Sequence, residues 1–227
     1  MKGYAKPLHE FIEGHKIQFV IPVYQRNYDW LIDNCDQLFS DLVKLSRSNR
    51  CSHFFGSIVT SSADSSYNRL VIDGQQRLTT ISLLLLAGIK AVKAGAIEIS
   101  EESKIDEAYE VFLKAKFCNS ERKIKLVPIE NDRIAYDKIF NEEDSFDENS
   151  KVTRNYRHFY DLLTRKPQAL SFDQLLDAIE RLQIISIELD SDDDAQLIFE
   201  SLNSTGLALT EADKIRNYLL MSLTTEE

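Results

Sequence analysis

Cysteine is scarce in this chain. Three residues, Cys35, Cys51 and Cys118, are scattered over 227 positions with no C-x-x-C spacing and no histidine placed so as to suggest a zinc site. That excludes a disulfide framework and a zinc motif, and it points to the reduced cytoplasm. Long apolar runs are missing too: the longest, Leu83–Ala87, sits in a segment broken by Lys90 and Lys93. It is too short to span a bilayer, no signal peptide is apparent, and no membrane partner is expected. Positive charge is in deficit, with a formal net charge of −10. A broad basic face for duplex DNA is therefore not expected, although a local basic groove stays open. There is no internal repeat and no G-x-x-x-x-G-K-[ST] loop, and the four scattered histidines place no Ser-His-Asp arrangement. Seven glycines, four prolines, 43% hydrophobic and 28% charged residues describe an ordinary globular chain, long enough for one large or two small domains.

What is present centres on Leu70–Thr80. Leu70, Val71 and Ile72 read as a buried strand that runs into the turn signal Asp73-Gly74. The apolar segment Leu78–Val92 that follows is a helix by its length and is ended by Gly95. The polar cluster thus falls at a helix N-terminus, where unpaired amides and the helix dipole favour an anion. Gly74 permits close backbone approach, Arg77 can fork onto phosphate oxygens, and Gln75 and Gln76 add donors and acceptors. A simple cap explains part of this pattern: Asp73 as N-cap with Gln76 three residues on approximates a capping box. It does not explain Gln75 or Arg77. An acidic residue suits an anion site where it holds a divalent cation or orients a water.

Along the rest of the chain, Lys6–Phe11 reads as a short helix stopped by Gly14, and Ile17–Val23 as a strand ending at Pro22. Tyr24-Gln25-Arg26-Asn27-Tyr28-Asp29-Trp30 crowds aromatics and an arginine into the strand exit. Trp30 suits a core anchor, and Arg26 beside Gln25 suits an anion contact. Leu31–Leu45 has amphipathic spacing, and Phe54–Thr60 with Arg69–Ile72 forms a hairpin with a longer-than-tight loop. His53 is read as a core or rim histidine. The middle third reads as helices over Ile105–Phe117, Asp132–Phe140, Asn155–Leu163 and Phe172–Leu182, the last capped by Ser171, with a short strand at Lys123–Val127. It carries no evident chemistry, and its acidic stretch Asn141–Ser150 reads as a solvated loop. Ile184–Leu189 restores a strand pattern. Asp190–Asp194 then opens a helix through Leu202, its acids suiting the dipole better than magnesium. Asn203, before the stop at Gly206, is either a C-cap or a residue turned into a site. Glu211–Leu223 is the last helix.

Three clusters stand in order: Ile21-Pro22-Val23-Tyr24-Gln25-Arg26, Ile72-Asp73-Gly74-Gln75-Gln76-Arg77-Leu78-Thr79-Thr80, and Phe199-Glu200-Ser201-Leu202-Asn203-Ser204-Thr205-Gly206 with Leu209 and Asp213. Together they closely resemble the GmrSD N-terminal domain family, the ParB/sulfiredoxin-like module of modification-dependent restriction and phosphorothioate-sensing defence proteins. The resemblance covers nearly the whole chain. It implies an α+β fold, a small β-sheet core with a large helical elaboration, read as one domain over 1–227. The core lies in 1–95 and 184–227 and the elaboration in 96–183.

In family members this domain hydrolyses nucleoside triphosphates, and hydrolysis is coupled to cleavage of foreign, often modified, DNA. Carried over, Asp73 orients the attacking water or a magnesium ion, Arg77 steadies charge on the transferred phosphoryl group, and Gln76 stands with them in the catalytic set. Gly74, Gln75, Gln76 and Thr80 cradle phosphate, while Tyr24, Gln25, Arg26 and Asn203 close the site. Mg2+ and a nucleoside triphosphate are the implied cofactor and substrate. DNA is the implied partner through a C-terminal or separate HNH-type nuclease domain not expected within this chain, and a homo-oligomer is compatible with the resemblance. Glutamines stand where sulfiredoxin chemistry needs a cysteine, so sulfur reduction is not expected. The readings to separate are a nucleotidase, a nucleotide-gated DNA-binding module and an interaction scaffold.

Overall fold

The computed structural model describes residues 1–48, 50–62, 67–118, 123–143, 145–165, 170–190, 193 and 198. The fold is α+β, a mixed six-stranded sheet with helices packed on it. The strands are β1 (Lys2–Pro7), β2 (Gln18–Val20), β3 (His53–Ser62), β4 (Asn68–Asp73), β5 (Leu126–Val127) and β6 (Leu182–Leu189), in spatial order β1-β6-β3-β4-β2-β5. β3 and β4 form the expected antiparallel hairpin, while β6 runs parallel to β3 and antiparallel to β1. β2 lies parallel to both β4 and β5.

The helices are α1 (Leu8–Ile12), α2 (Ile32–Arg47), α3 (Gln75–Lys93), α4 (Ser103–Ala108), α5 (Glu130–Phe140), α6 (Lys151–Thr164) and α7 (Phe172–Glu180). Every residue of α3 from Leu78 to Ile89 is buried. A helix apolar all round must be enclosed on all sides, and α3 is the central rod against which α6 and α7 pack. α2 buries Cys35, Leu38, Phe39, Leu42 and Leu45, the stripe its spacing predicts. A smaller apolar cluster, Val59, Ile72 and Leu189 with Leu70, Ile187 and Ile198, forms separately from this core. Alternation along β4 and β6 places it on the other face of the sheet. No helix among the described residues is long and apolar enough to cross a membrane.

Several sequence expectations are corrected. The short helix begins at Leu8, because Lys2–Pro7 before it is an edge strand paired with β6. The helix expected over Ile105–Phe117 is α4 followed by a π-helical turn, Tyr109–Leu113. It ends where Lys114 bridges to Ile124. The acidic loop is tied down at Phe146, which packs on the core and lies under the Arg157 guanidinium. Ser171 caps α7 as expected, its hydroxyl accepting from the Gln174 amide at 3.2 Å. The helix expected at Glu211–Leu223 lies outside the described residues.

Lys125, 1% exposed, donates from Nζ to the Gly14 carbonyl at 2.7 Å. Burial pulls its ammonium down to about 8 from the ordinary 10.5. The fold then binds fewer protons than the unfolded chain between those two values, so this residue's contribution to stability rises with pH across that window. Urea unfolding should show the protein gaining on a Lys125→Met variant between about pH 7.5 and about pH 9.5. A constant difference would refute the assignment.

Candidate functional site

The turn between β4 and α3 is built on Gly74. Its φ of +97° is left-handed, and it, rather than Asp73, is the N-cap of α3. Asp73 is the last residue of β4, paired with Val59, so the capping box with Gln76 does not form. A Cβ on Gly74 would lie 2.9 Å from Ile58 Cγ1 and 3.2 Å from Ile58 Cα. Glycine is required there by conformation and by space.

The strand exit after Ile21 folds across the start of α3, and the neutral polar residues of the two clusters join them. Gln25 Nε2 donates to the Ile72 carbonyl at 2.8 Å, and Gln25 Oε1 accepts from Gln75 Nε2 at 3.2 Å. Gln75 Nε2 also donates to the Arg26 carbonyl at 3.1 Å. Gln76 Oε1 accepts from the amides of Asp29 and Trp30 at 2.8 and 3.2 Å, while its Nε2 donates to the Asn27 carbonyl at 3.2 Å. Thr80 Oγ1 donates to the Gln76 carbonyl and meets the Tyr28 hydroxyl at 2.7 Å. Tyr24 is buried, and burial pushes its phenol up to about 12, so it stays neutral at physiological pH. The glutamines, read in the sequence as phosphate donors, are here a clamp that shapes the loop.

Two members of this network come from the middle third of the chain and were not anticipated. Asp132 Oδ2 accepts from the Tyr28 amide at 2.6 Å. Asn155 Nδ2 donates to the Tyr28 hydroxyl and the Trp30 carbonyl, both at 2.9 Å. The available signal was a polar residue set in the apolar stripe of each helix, beside Ala135, Tyr136 and Ile139 in one and Val152, Tyr156 and Phe159 in the other. Burial holds the Asp132 carboxyl above its usual range, the Tyr28 amide opposing that shift. Because Gln76 carries three of the bonds, Gln76→Ala would leave the Asp29 and Trp30 amides and the Asn27 carbonyl without it. At about 1 kcal/mol per net bond the expected loss is ~3 kcal/mol, read from urea unfolding. A loss below about 1 kcal/mol would show the loop holding without it.

The charged members remain accessible. Asp73 and Arg77 are 29% and 32% exposed at their side chains, 4.0 Å apart. Arg77 Nη1 donates to the Ser57 carbonyl at 3.2 Å, and the guanidinium lies so close over Gly56 that a Cβ there would meet Nε at 2.6 Å. Arg77 also walls a cleft of about 240 Å³ with Trp30, Asn34, Gln37, Leu38, Asp41, His53, Phe54 and Phe55. His53 is thus a rim residue, 3.9 Å from Asp41. Arg26 is not in that cleft. Its guanidinium turns to Asp29 at 3.9 Å while Gln75 holds its carbonyl. Gln75 and Arg77, two residues apart on a helix, face different ways. Asn203 and the rest of the third cluster lie outside the described residues. A second cavity, about 410 Å³, is lined by Lys90, Glu142, Phe146, Tyr156, Arg157 and Tyr160 among others, none of them in the three clusters.

No curated protein matches this chain in the comparison with known sequences. The family model described as the GmrSD restriction endonuclease, N-terminal domain, matches residues 8–220. That span takes in the Gln25 strand exit, the Gly74 turn and the helices carrying Asp132 and Asn155, the parts the hydrogen bonds above join into one structure. The chain belongs to the GmrSD N-terminal domain family of restriction endonucleases.

Proposed function

We propose that this chain is the nucleoside-triphosphate-hydrolysing regulatory domain of a DNA-restriction system, controlling cleavage of foreign or modified DNA. The observation that carries the reading is the division of labour at the Gly74 turn. Gln25, Gln75, Gln76 and Thr80 have their side chains bonded within the protein, whereas Asp73 and Arg77 stand adjacent and accessible at the start of a buried helix. A scaffold would need the clamp but not a half-buried, solvent-accessible acid and arginine beside it.

In this reading the triphosphate tail lies against the turn with Arg77 on its oxygens and Arg26 reaching in from the strand exit. Asp73 orients a water whose oxygen bonds the γ-phosphorus as the bond to the β–γ bridging oxygen breaks, releasing orthophosphate and the diphosphate. Arg77 stabilises the charge that spreads over the γ-phosphoryl oxygens. Gln76 is given a positioning role, since its side chain is held by the loop. Among the described residues no group of three or more potential ligands is gathered for a metal. Asp73 alone fits magnesium in the manner usual for that ion, one or two carboxylates beside substrate phosphates. Bound there, the ion would neutralise phosphate charge. DNA would be met through an HNH-type nuclease domain, consistent with a net charge of −10 that disfavours duplex binding by this chain.

The test is phosphate release from the four ribonucleoside triphosphates with magnesium, with and without unmodified and modified DNA. Turnover of at least one is expected. Tight nucleotide binding without release would favour a nucleotide-gated clamp, and neither binding nor release would leave the scaffold.

A further inference from the structure

The cleft beside Arg77 has a chemistry of its own. Its walls include Trp30, Phe54 and Phe55, and Phe54 is 61% exposed, a large ring held out at the edge of β3. Asn34, Gln37, Leu38 and Asp41 recur at the spacing of a single face of α2. Internal bonds fix both amides on that face. Asn34 Oδ1 accepts from the Leu31 amide at 2.9 Å, which leaves its Nδ2 donor for the cleft. Gln37 Nε2 donates to Asp41 at 2.8 Å, which leaves its Oε1 acceptor. One donor and one acceptor, a turn apart beside aromatic rings, suit the edge and face of a planar heterocycle. The volume, about 240 Å³, falls below the roughly 300–1,000 Å³ of pockets that engulf a whole drug-sized ligand. Among its walls Arg77 is the permanent cation, and His53 lies 3.9 Å from Asp41.

We propose that this cleft seats the base of the nucleotide whose phosphates lie at Arg77, an inference that rests on the nucleotide reading above. Phe54 supplies the stacking face, and Asn34 and Gln37 meet the base edge.

Trp30 is the only tryptophan in the chain, so its fluorescence reports on the cleft directly. It would be titrated with each ribonucleoside triphosphate, with inorganic triphosphate and with short single-stranded oligonucleotides, in the parent protein and in Phe54→Ala, Phe54→Tyr and Gln37→Ala. Nucleotides are expected to quench Trp30. Phe54→Ala should weaken them by about 5- to 100-fold, with Phe54→Tyr restoring affinity, while inorganic triphosphate changes less than about twofold. Gln37→Ala should weaken at least one nucleotide without affecting inorganic triphosphate. If nucleotides bind the parent protein and both alanine variants equally, the base lies elsewhere and the nucleotide reading stands. If neither nucleotides nor inorganic triphosphate bind the parent protein, that reading fails and this one with it. Oligonucleotides binding more tightly than any free nucleotide, with the same dependence on Phe54, would give the cleft to nucleic acid and overturn the proposal.

Discussion

Arg77→Ala is expected to lower phosphate release by about 10³-fold or more while leaving the protein folded. Removing one preorganised donor from a charge-developing site costs about 10²–10³ in rate, and arginines at transferring phosphoryl groups reach about 10³–10⁵. The fold has little at stake in the side chain. Its hydrogen bond at 3.2 Å goes to a carbonyl of β3, and its carboxylate neighbour is 4.0 Å away and partly solvated. The expected stability loss is about 1 kcal/mol or less. Asp73→Ala should be equally damaging to release for a different reason, loss of the group proposed to orient water. Arg77→Lys should recover only part of the rate, because a point charge replaces a planar fork. Unfolding midpoints near the parent value together with unchanged release in Arg77→Ala and Asp73→Ala would remove both from the chemistry.

Gly74→Ala should have the largest effect on stability of any single methyl added at the site. A non-glycine residue held in the left-handed region costs of order 1–3 kcal/mol. The added Cβ also meets Ile58 at 2.9 Å, including backbone at 3.2 Å, so the hairpin itself must shift. Together the expected loss is about 3–5 kcal/mol, or about 6–20 °C in Tm for a chain of this size. A double-mutant cycle separates the two causes. Ile58→Ala removes the 2.9 Å contact with Cγ1 and leaves the 3.2 Å contacts with Cα and Cβ and the conformational cost, so the pair should couple favourably by at least about 1 kcal/mol. No coupling would mean that the Ile58 side chain yields to the methyl and that the cost lies in the backbone, its conformation and its 3.2 Å approach.

Much of this architecture was legible because period and punctuation agree. Leu70–Ile72, the Asp73-Gly74 turn and the apolar run after it read as strand, turn and helix, and they are so. α2 and α7 were equally plain from their stripes and, for α7, its serine cap. β1 was not legible. Lys2–Pro7 has no apolar alternation because it is an exposed edge, held by backbone bonds to β6 that leave no trace in side-chain pattern. At the site, the sequence singled out residues that the fold gathers around the Gly74 turn, and the fold puts the glutamines to a different use from the one expected. An amide that could meet a phosphate can equally meet a backbone carbonyl, and only the folded geometry turns Gln75 and Gln76 onto the Arg26–Trp30 loop. Asp132 and Asn155 were passed over although each is a polar residue on the apolar stripe of its helix, Asp132 with Ala135, Tyr136 and Ile139, and Asn155 with Val152, Tyr156, Phe159 and Leu163.

The sheet order has a consequence for how the chain is made. β1 has β6 as its neighbour, and β6 lines one side of β3, yet among the described residues β6 is the last strand in sequence. A ribosome that has delivered only the first 180 residues has therefore produced two strands with bare edges and no way to satisfy them. Such edges invite pairing with other chains. Contacts closing across so much sequence also form slowly. Nascent or truncated forms ending before Leu182 should accordingly depend on chaperones, and release from that dependence should coincide with emergence of the Leu182–Leu189 segment.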